Sequence, residues 1–147
     1  MDNCEEEMLK LDNQLCFSLY ATSKEIIRRY KPLLDNFDIT YTQYITLLVL
    51  WEKDGLLVKT LGERLYLDSG TLTPLLTKLE NKGYILKKKD TKDIRETSVY
   101  LTDKGRELKE KIIVVPKTMG ACVNLELDDL LMLQKLLKKV RRGLTEK

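Results

Sequence analysis

A mainly α-helical fold with one small β-hairpin, in the order of a winged helix-turn-helix, is what the sequence predicts, and three features predict it. Apolar residues recur at helical spacing along most of the chain. Two short helical stretches, 59–66 and 69–82, are separated only by Leu67 and Asp68, which is helix-turn-helix spacing. Two β-rich runs then follow Gly83, at 84–88 and 97–101, and enclose the charged stretch 89–96, the pattern of a hairpin with a long basic tip.

Taken in order, Met8, Leu11, Leu15, Leu19, Ile26 and Tyr30 share one helical repeat, so a long first helix is expected over about 9–31, with Pro32 discouraging its continuation. A second helix begins at Thr40, which has capping-box spacing to Gln43, and runs to about Lys53 with Gly55 as its left-handed cap. Its apolar face, Tyr44 to Trp51, belongs in the core. In the helix-turn-helix, Asp68 caps the second helix, Leu61 and Leu65 face Leu72, Leu75, Leu76 and Leu79, and Gly83 ends it. Pro74 opposes this reading, because it removes a backbone donor past the first turn. After the hairpin, Thr102 caps a helix expected to reach about Val115 and to break at Pro116, leaving Cys122 just beyond. A last helix over about 128–145 carries Leu130, Leu133, Leu136, Leu137 and Val140 on one face.

A chain of 147 residues suits a single domain. Its terminal helices, 8–34 and 103–145, cannot bury their apolar stripes against the small central unit 40–101, so a twofold homodimer formed through them is expected. With 43% hydrophobic and 33% charged residues the chain reads as globular, neither disordered nor membrane-embedded. Its longest largely apolar run, Ile45–Trp51, is far short of the roughly 20 residues of a bilayer span, and no signal peptide opens the chain, so a cytoplasmic protein is expected. Cys4, Cys16 and Cys122 are too few and too odd in number for a secreted disulfide framework, so reduced thiols are the resting expectation. The lack of histidine excludes a Cys/His zinc site and a histidine-based hydrolase triad. Neither a metal nor a cofactor is expected.

Charge is unevenly placed. The net charge is +3, yet residues 1–13 carry five acids against Lys10, whereas 78–95 carry seven Lys/Arg against Glu80, Asp90 and Asp93. A helix pair followed by a basic hairpin implies duplex DNA as partner, with the second helix in the major groove and the tip on phosphates or in the minor groove. Ser69, Thr71 and Thr73 are short donors at the start of that helix, Gly70 permits close approach, and the helix N-terminus favours an anion. Lys78 and Lys82 are expected near phosphates. At the hairpin, Lys87, Lys88, Lys89, Lys92 and Arg95 supply salt-dependent affinity, Arg95 being best suited to a narrow minor groove. Each lysine taken singly reads equally well as part of a solvated face.

The run LGERLYLDSGTLTPLLTKLENKGYI (61–85), the DIR of the hairpin (93–95) and LTDKG at the next helix start (101–105) resemble the MarR family of winged-helix repressors. Upstream, LDNQLCFSLYATSKEIIRRYKPLLD (11–35) is similar to a narrower branch, the organic hydroperoxide resistance regulators. The resemblance spans about residues 8–140. It implies that Cys16 is the peroxide-reactive thiol and that Tyr20 and Tyr30 occupy the places of two tyrosines that hydrogen-bond it. It also implies that Arg95 contacts the minor groove while Asp93 orients it; Ile94 between them departs from the polar residue expected there. In the two-cysteine subclass a second cysteine at a late position, here Cys122, bridges to the sensing cysteine of the other subunit.

Tyr20 is one turn from Cys16, but Tyr30 is fourteen residues on, about 21 Å along a helix, so Tyr30 can meet the thiol only from a partner chain. A peroxide-sensing thiol must be largely thiolate at neutral pH, against an ordinary value near 8.5, and phenol donors favour that form. Peroxide converts it to a sulfenic acid, which condenses with a second thiol. The function implied is a repressor that binds a pseudo-palindromic operator when reduced and leaves it when organic hydroperoxide oxidises Cys16. A lone cysteine beside Leu15 also packs as a small hydrophobe, and that alternative goes with a MarR-type repressor released by a small phenolic or lipophilic ligand. Two further readings stand beside these: an enzyme with Cys16 as a peroxidatic thiol, and a helical interaction module that binds no DNA. Cys4, in an acidic terminus, reads as incidental.

Overall fold

Asp2 opens the computed structural model, which describes residues 2–93 and 95–146, by capping helix α1 (Asn3–Met8) in a capping box with Glu5. A 3₁₀ turn over Leu11–Asn13 leads to α2 (Leu15–Asp35). The first long helix therefore starts later than the apolar repeat predicts. The reason is local: Asn13 Nδ2 donates to the Glu7 carbonyl at 2.8 Å and Gln14 Nε2 donates to the Met8 carbonyl, bonds that compete with helix propagation. It also ends later, passing through Pro32. The proline lies on the exposed side, and Leu34 beyond it is buried to 1%, so core packing retains the last turn against the missing donor.

Thr40 and Gln43 form the capping box that their spacing predicts, starting α3 (Tyr41–Glu52). Gly55, at φ +71°, turns the chain into β1 (Leu56–Leu57), a strand too short for alternation to announce it. The helix-turn-helix follows as α4 (Val58–Leu65) and α5 (Ser69–Asn81). Tyr66 caps α4 in the left-handed region, and the Asp68 carboxylate accepts the Thr71 amide at 2.8 Å to cap α5. Contrary to the opposition expected from Pro74, α5 is continuous: the proline is exposed, while Leu72, Leu75, Leu76 and Leu79 anchor the other face.

Strands β2 (Ile85–Lys89) and β3 (Thr97–Leu101) pair antiparallel, with Lys87 opposite Val99. β1 joins the far edge of β3, Leu56 opposite Val99, giving the order β1-β3-β2. Thr102 caps α6 (Asp103–Ile112), whose hydroxyl accepts the Gly105 amide at 3.1 Å. The break expected at Pro116 falls instead at Ile113, and α7 (Val114–Val123) contains the proline in its first turn, where a missing donor costs no helical bond. Cys122, expected just beyond a break at Pro116, lies instead in the last turn of the same helix as Pro116. α8 (Leu127–Thr145) completes the chain.

The chain divides into two compact units, Met1–Val115 and Pro116–Lys147. In the first, Leu34, Leu47, Leu50, Leu61, Leu72, Leu76, Leu79, Ile85 and Val99 make one core. In the second, no residue of α8 is buried, and its predicted stripe from Leu130 to Val140 is at least partly exposed throughout. Among the described residues, no helix is long and apolar enough to cross a membrane.

One close approach sets the angle between hairpin and α6. The Trp51 indole donates to the Gly105 carbonyl at 2.9 Å, and a Cβ at Gly105 would lie 2.2 Å from the Tyr84 carbonyl oxygen. Gly105→Ala is accordingly expected to destabilise the fold by about 2–3 kcal/mol, read as a lower urea midpoint with an unchanged slope.

Candidate functional site

Capping by Asp68 leaves the first turn of α5 open to solvent, and Ser69, Gly70, Thr71, Thr73 and Lys78 are all exposed. The four leucines hold the opposite side of α5 in the core, so the polar groups are presented on a helix that cannot roll. The hairpin is fixed to this helix by Glu80, whose carboxylate accepts the Lys87 amide at 2.8 Å and faces the Lys87 ammonium at 3.7 Å. Lys87 Nζ is also 3.2 Å from Thr77 Oγ1. It ties hairpin to helix instead of standing free for a phosphate, because β alternation turns residue 87 to the same side as the buried Ile85. Sequence periodicity alone carries no sign of the part played by Glu80.

Lys82 departs similarly from the phosphate contact expected of it. Its ammonium donates to the Asp38 carbonyl and stands 3.4 Å from Gln43 Oε1. Lys88 lies over the Tyr100 ring at 5.0 Å, a cation–π contact on the outer face of the hairpin. That face borders a shallow cavity of about 410 Å³, in which Arg106 bonds the Leu101 carbonyl and the carboxylates of Asp54 and Asp103. Lys89 and Lys92 are exposed.

The hairpin tip is a built turn. Asp90 Oδ1 accepts the Lys92 amide at 2.6 Å, and the Asp90 amide donates to the Glu96 carbonyl at 2.8 Å. Asp93 Oδ1 accepts both the Arg95 amide at 3.0 Å and its Nε at 3.2 Å, while the Arg95 side chain stays 88% exposed. The backbone bond from Arg95, reinforced by its guanidinium, holds the Asp93 carboxyl below its ordinary value. Ile94 lies outside the described residues.

Cys16, Tyr20 and Tyr30 all fall on α2. Cys16 is exposed; Tyr20 is 59% exposed, beside Phe17 and beneath the Lys24 ammonium at 5.0 Å. Tyr30, near the other end, packs its ring 4.9 Å from Tyr41 and 5.8 Å from Tyr44. A single chain thus brings Cys16 near Tyr20 but not Tyr30. Tyr41 was not singled out from sequence: it is brought to Tyr30 only by the packing of α3 on α2. Burial pushes the Tyr44 phenol up to about 12, with Tyr30 and Tyr41 adding to the effect, and burial also raises Tyr30 and Tyr41. Cys122 is exposed in the last turn of α7, and Cys4 is exposed in α1. Among the described residues, no group of Cys, Asp and Glu side chains could hold a metal ion.

Comparison with known proteins extends this geometry. Residues 28–112 match the family described as transcriptional regulator SarA/Rot. The chain is 47% identical over 139 residues to the organic hydroperoxide resistance transcriptional regulator of Bacillus subtilis (strain 168), covering 95% of each. Among solved structures it is similar to reduced AbfR bound to DNA, at a TM-score of 0.81 and 34% identity over 97% of this chain and 99% of that one. It is also similar to the disulfide-formed AbfR, at a TM-score of 0.67 and 34% identity over the whole of both chains.

The raised tyrosines have a consequence for stability. A phenol whose folded-state value exceeds its unfolded value near 10 stabilises the fold fully below that pH. Stability is expected to fall as pH rises from 10 towards 12, and Tyr44→Phe is expected to flatten that fall in urea melts taken across the interval.

Proposed function

We propose, from the premise that this chain belongs to the MarR/SarA-type winged-helix transcriptional regulators, a family of regulators and not of enzymes, that it is a dimeric repressor of duplex DNA switched by oxidation of Cys16. DNA is read by Ser69, Gly70, Thr71 and Thr73 at the start of α5, with Lys78 on the adjoining phosphates. Lys88, Lys89 and Lys92 add salt-dependent affinity at the hairpin. Arg95, held out by Asp93, enters a minor groove. Two copies present two such elements to a pseudo-palindromic operator, about one DNA turn apart.

The observation that carries the redox half is the setting of Cys16. Its thiol is exposed on a helix whose neighbouring apolar side chains, Leu15 (64%), Tyr20 (59%) and Ile27 (44%), are left uncovered by the chain itself. An apolar surface of this kind is what a second copy buries, and α8 offers Leu131, Leu133, Leu136 and Val140 as further uncovered positions. Within such a dimer the partner's Tyr30 is free of the limit that α2 imposes within one chain, and Tyr41, packed on Tyr30, arrives with it.

Chemically, the Cys16 thiolate attacks the outer oxygen of an organic hydroperoxide; the O–O bond breaks, the alcohol leaves with a proton, and Cys16 becomes a sulfenic acid. The Cys122 thiol of the other subunit then attacks that sulfur, forming a disulfide and releasing water. A bridge between two chains changes the distance between the DNA-reading elements, and thiol reductants reverse it. That the Bacillus relative is an organic hydroperoxide resistance regulator and that AbfR has a disulfide-formed state support this assignment.

Cys16→Ser tests it. The reduced variant is expected to bind a duplex as the natural protein does, with log affinity falling linearly in log salt, and to stay bound when cumene hydroperoxide is added. On non-reducing gels the natural protein is expected to give a cross-linked dimer that Cys16→Ser and Cys122→Ser both lack. Release of Cys16→Ser by hydroperoxide overturns sensing at this thiol.

A further inference from the structure

We infer that Lys82 is a positioning strut that joins the end of the sensor helix α2 to the end of the DNA-reading helix α5, an inference that rests on the redox reading of Cys16. Lys82 is the C-cap of α5, and its side chain is 29% exposed. Its ammonium donates to the Asp38 carbonyl and lies 3.4 Å from Gln43 Oε1 and 3.7 Å from Asp38 Oδ2. An ammonium has three donors; here two meet oxygens of the α2–α3 corner within hydrogen-bond distance, and the Asp38 carboxylate faces it at 3.7 Å. A phosphate contact at this lysine would compete with these bonds.

The corner itself is shaped for the contact. Asp38 sits at φ +53°, a left-handed conformation that Asp tolerates better than most residues, and its carbonyl is the acceptor that Lys82 meets. Gln43 is 2% exposed. Its amide oxygen also accepts the Thr40 amide at 3.0 Å, so one buried oxygen serves both the cap of α3 and the end of α5. A second tie runs in parallel: the Tyr84 hydroxyl donates to the Phe37 carbonyl at 3.3 Å, with Tyr84 just past Gly83. On the other side, Lys104 of α6 donates to the Lys82 carbonyl at 2.7 Å.

The consequence is mechanical. α2 carries Cys16, Tyr20 and Tyr30 and runs into the corner 36–39 directly after Asp35. α5 is 13 residues long, about 20 Å, and its base-reading residues, Ser69 to Thr73, are at the end remote from Lys82. Packed helices move as rigid bodies between discrete arrangements. A shift of α2 that moves the corner therefore pulls the C-terminal end of α5 through Lys82 and Tyr84, and re-aims Ser69 to Thr73.

The strut and the phosphate contact make opposite predictions. The probe is a duplex selected from a random-sequence pool by the reduced natural protein. Lys82→Met keeps the stem and removes the donors. It is expected to bind that duplex with the salt slope of the natural protein, while the ratio of oxidised to reduced Kd falls at least tenfold. Lys82→Arg, which keeps charge and donors, is expected to recover part of the ratio. Tyr84→Phe, which loses only the second tie, is expected to lower the ratio by a smaller factor, and it carries the test if circular dichroism shows Lys82→Met unfolded. A salt slope reduced by about one, or a ratio unchanged in Lys82→Met and Tyr84→Phe, overturns the strut. If the natural protein itself keeps its DNA under hydroperoxide, sensing at Cys16 has failed and the strut falls with it; if it lets go and both variants let go equally, the strut alone is wrong.

Discussion

Burial of one leucine face of α5 governs the rest of the first unit. Leu72, Leu75, Leu76 and Leu79 enter the same core as Leu47 and Leu50 of α3 and Leu61 of α4, and full burial of such a side chain stabilises by about 1.5–3 kcal/mol. That attraction exceeds the propensity cost of Gly70 and Pro74, which is why α5 stays helical through both. With its leucines held in, the helix has one rotation left to it, and Thr73, Thr77 and Lys78 face water.

The hairpin inherits its place from this helix. Glu80 anchors Lys87 by both backbone and side chain, and Val99, between Leu56 and Lys87 in the ladder, brings the sheet into the core. Gly105 lets α6 close over the Tyr84 carbonyl. At the tip the described residues supply their own scaffold: Asp90 closes the turn and Asp93 holds the Arg95 backbone and guanidinium together. A cation held in this way loses less conformational freedom on meeting a partner than a free lysine does.

The corner between α2 and α3 concentrates what remains. Leu34 and Ile39 are buried there, the Tyr30, Tyr41 and Tyr44 rings pack at tilted angles just before and after it, and Lys82 and Tyr84 reach it from the far end of α5. One polar contact there is shared, since the buried Gln43 Oε1 accepts the Thr40 amide and also meets Lys82.

Sequence alone determined the elements whose causes are local. Capping at Thr40, Asp68 and Thr102, the stop at Gly83, the leucine register of α5 and the charged hairpin each depend on residues within a few positions of one another, and periodicity and capping rules read such spacings directly. Only tertiary structure decided where competing tendencies met. Pro32 and Pro74 remain in helices because Leu34 near the one and Leu72, Leu75 and Leu76 near the other are held in the core, and Pro116 lies in the first turn of a helix instead of ending one. β1 exists because β3 lies beside it. Among the candidate site residues, the polar start of α5 was legible, since a cap and a buried stripe leave one face for solvent. The divided fates of the lysines were not: Lys82 and Lys87 are bound by Asp38, Gln43 and Glu80 while Lys78, Lys89 and Lys92 are open to water. A charge shows in the sequence, whereas the oxygen that meets it across 39 or 44 residues does not.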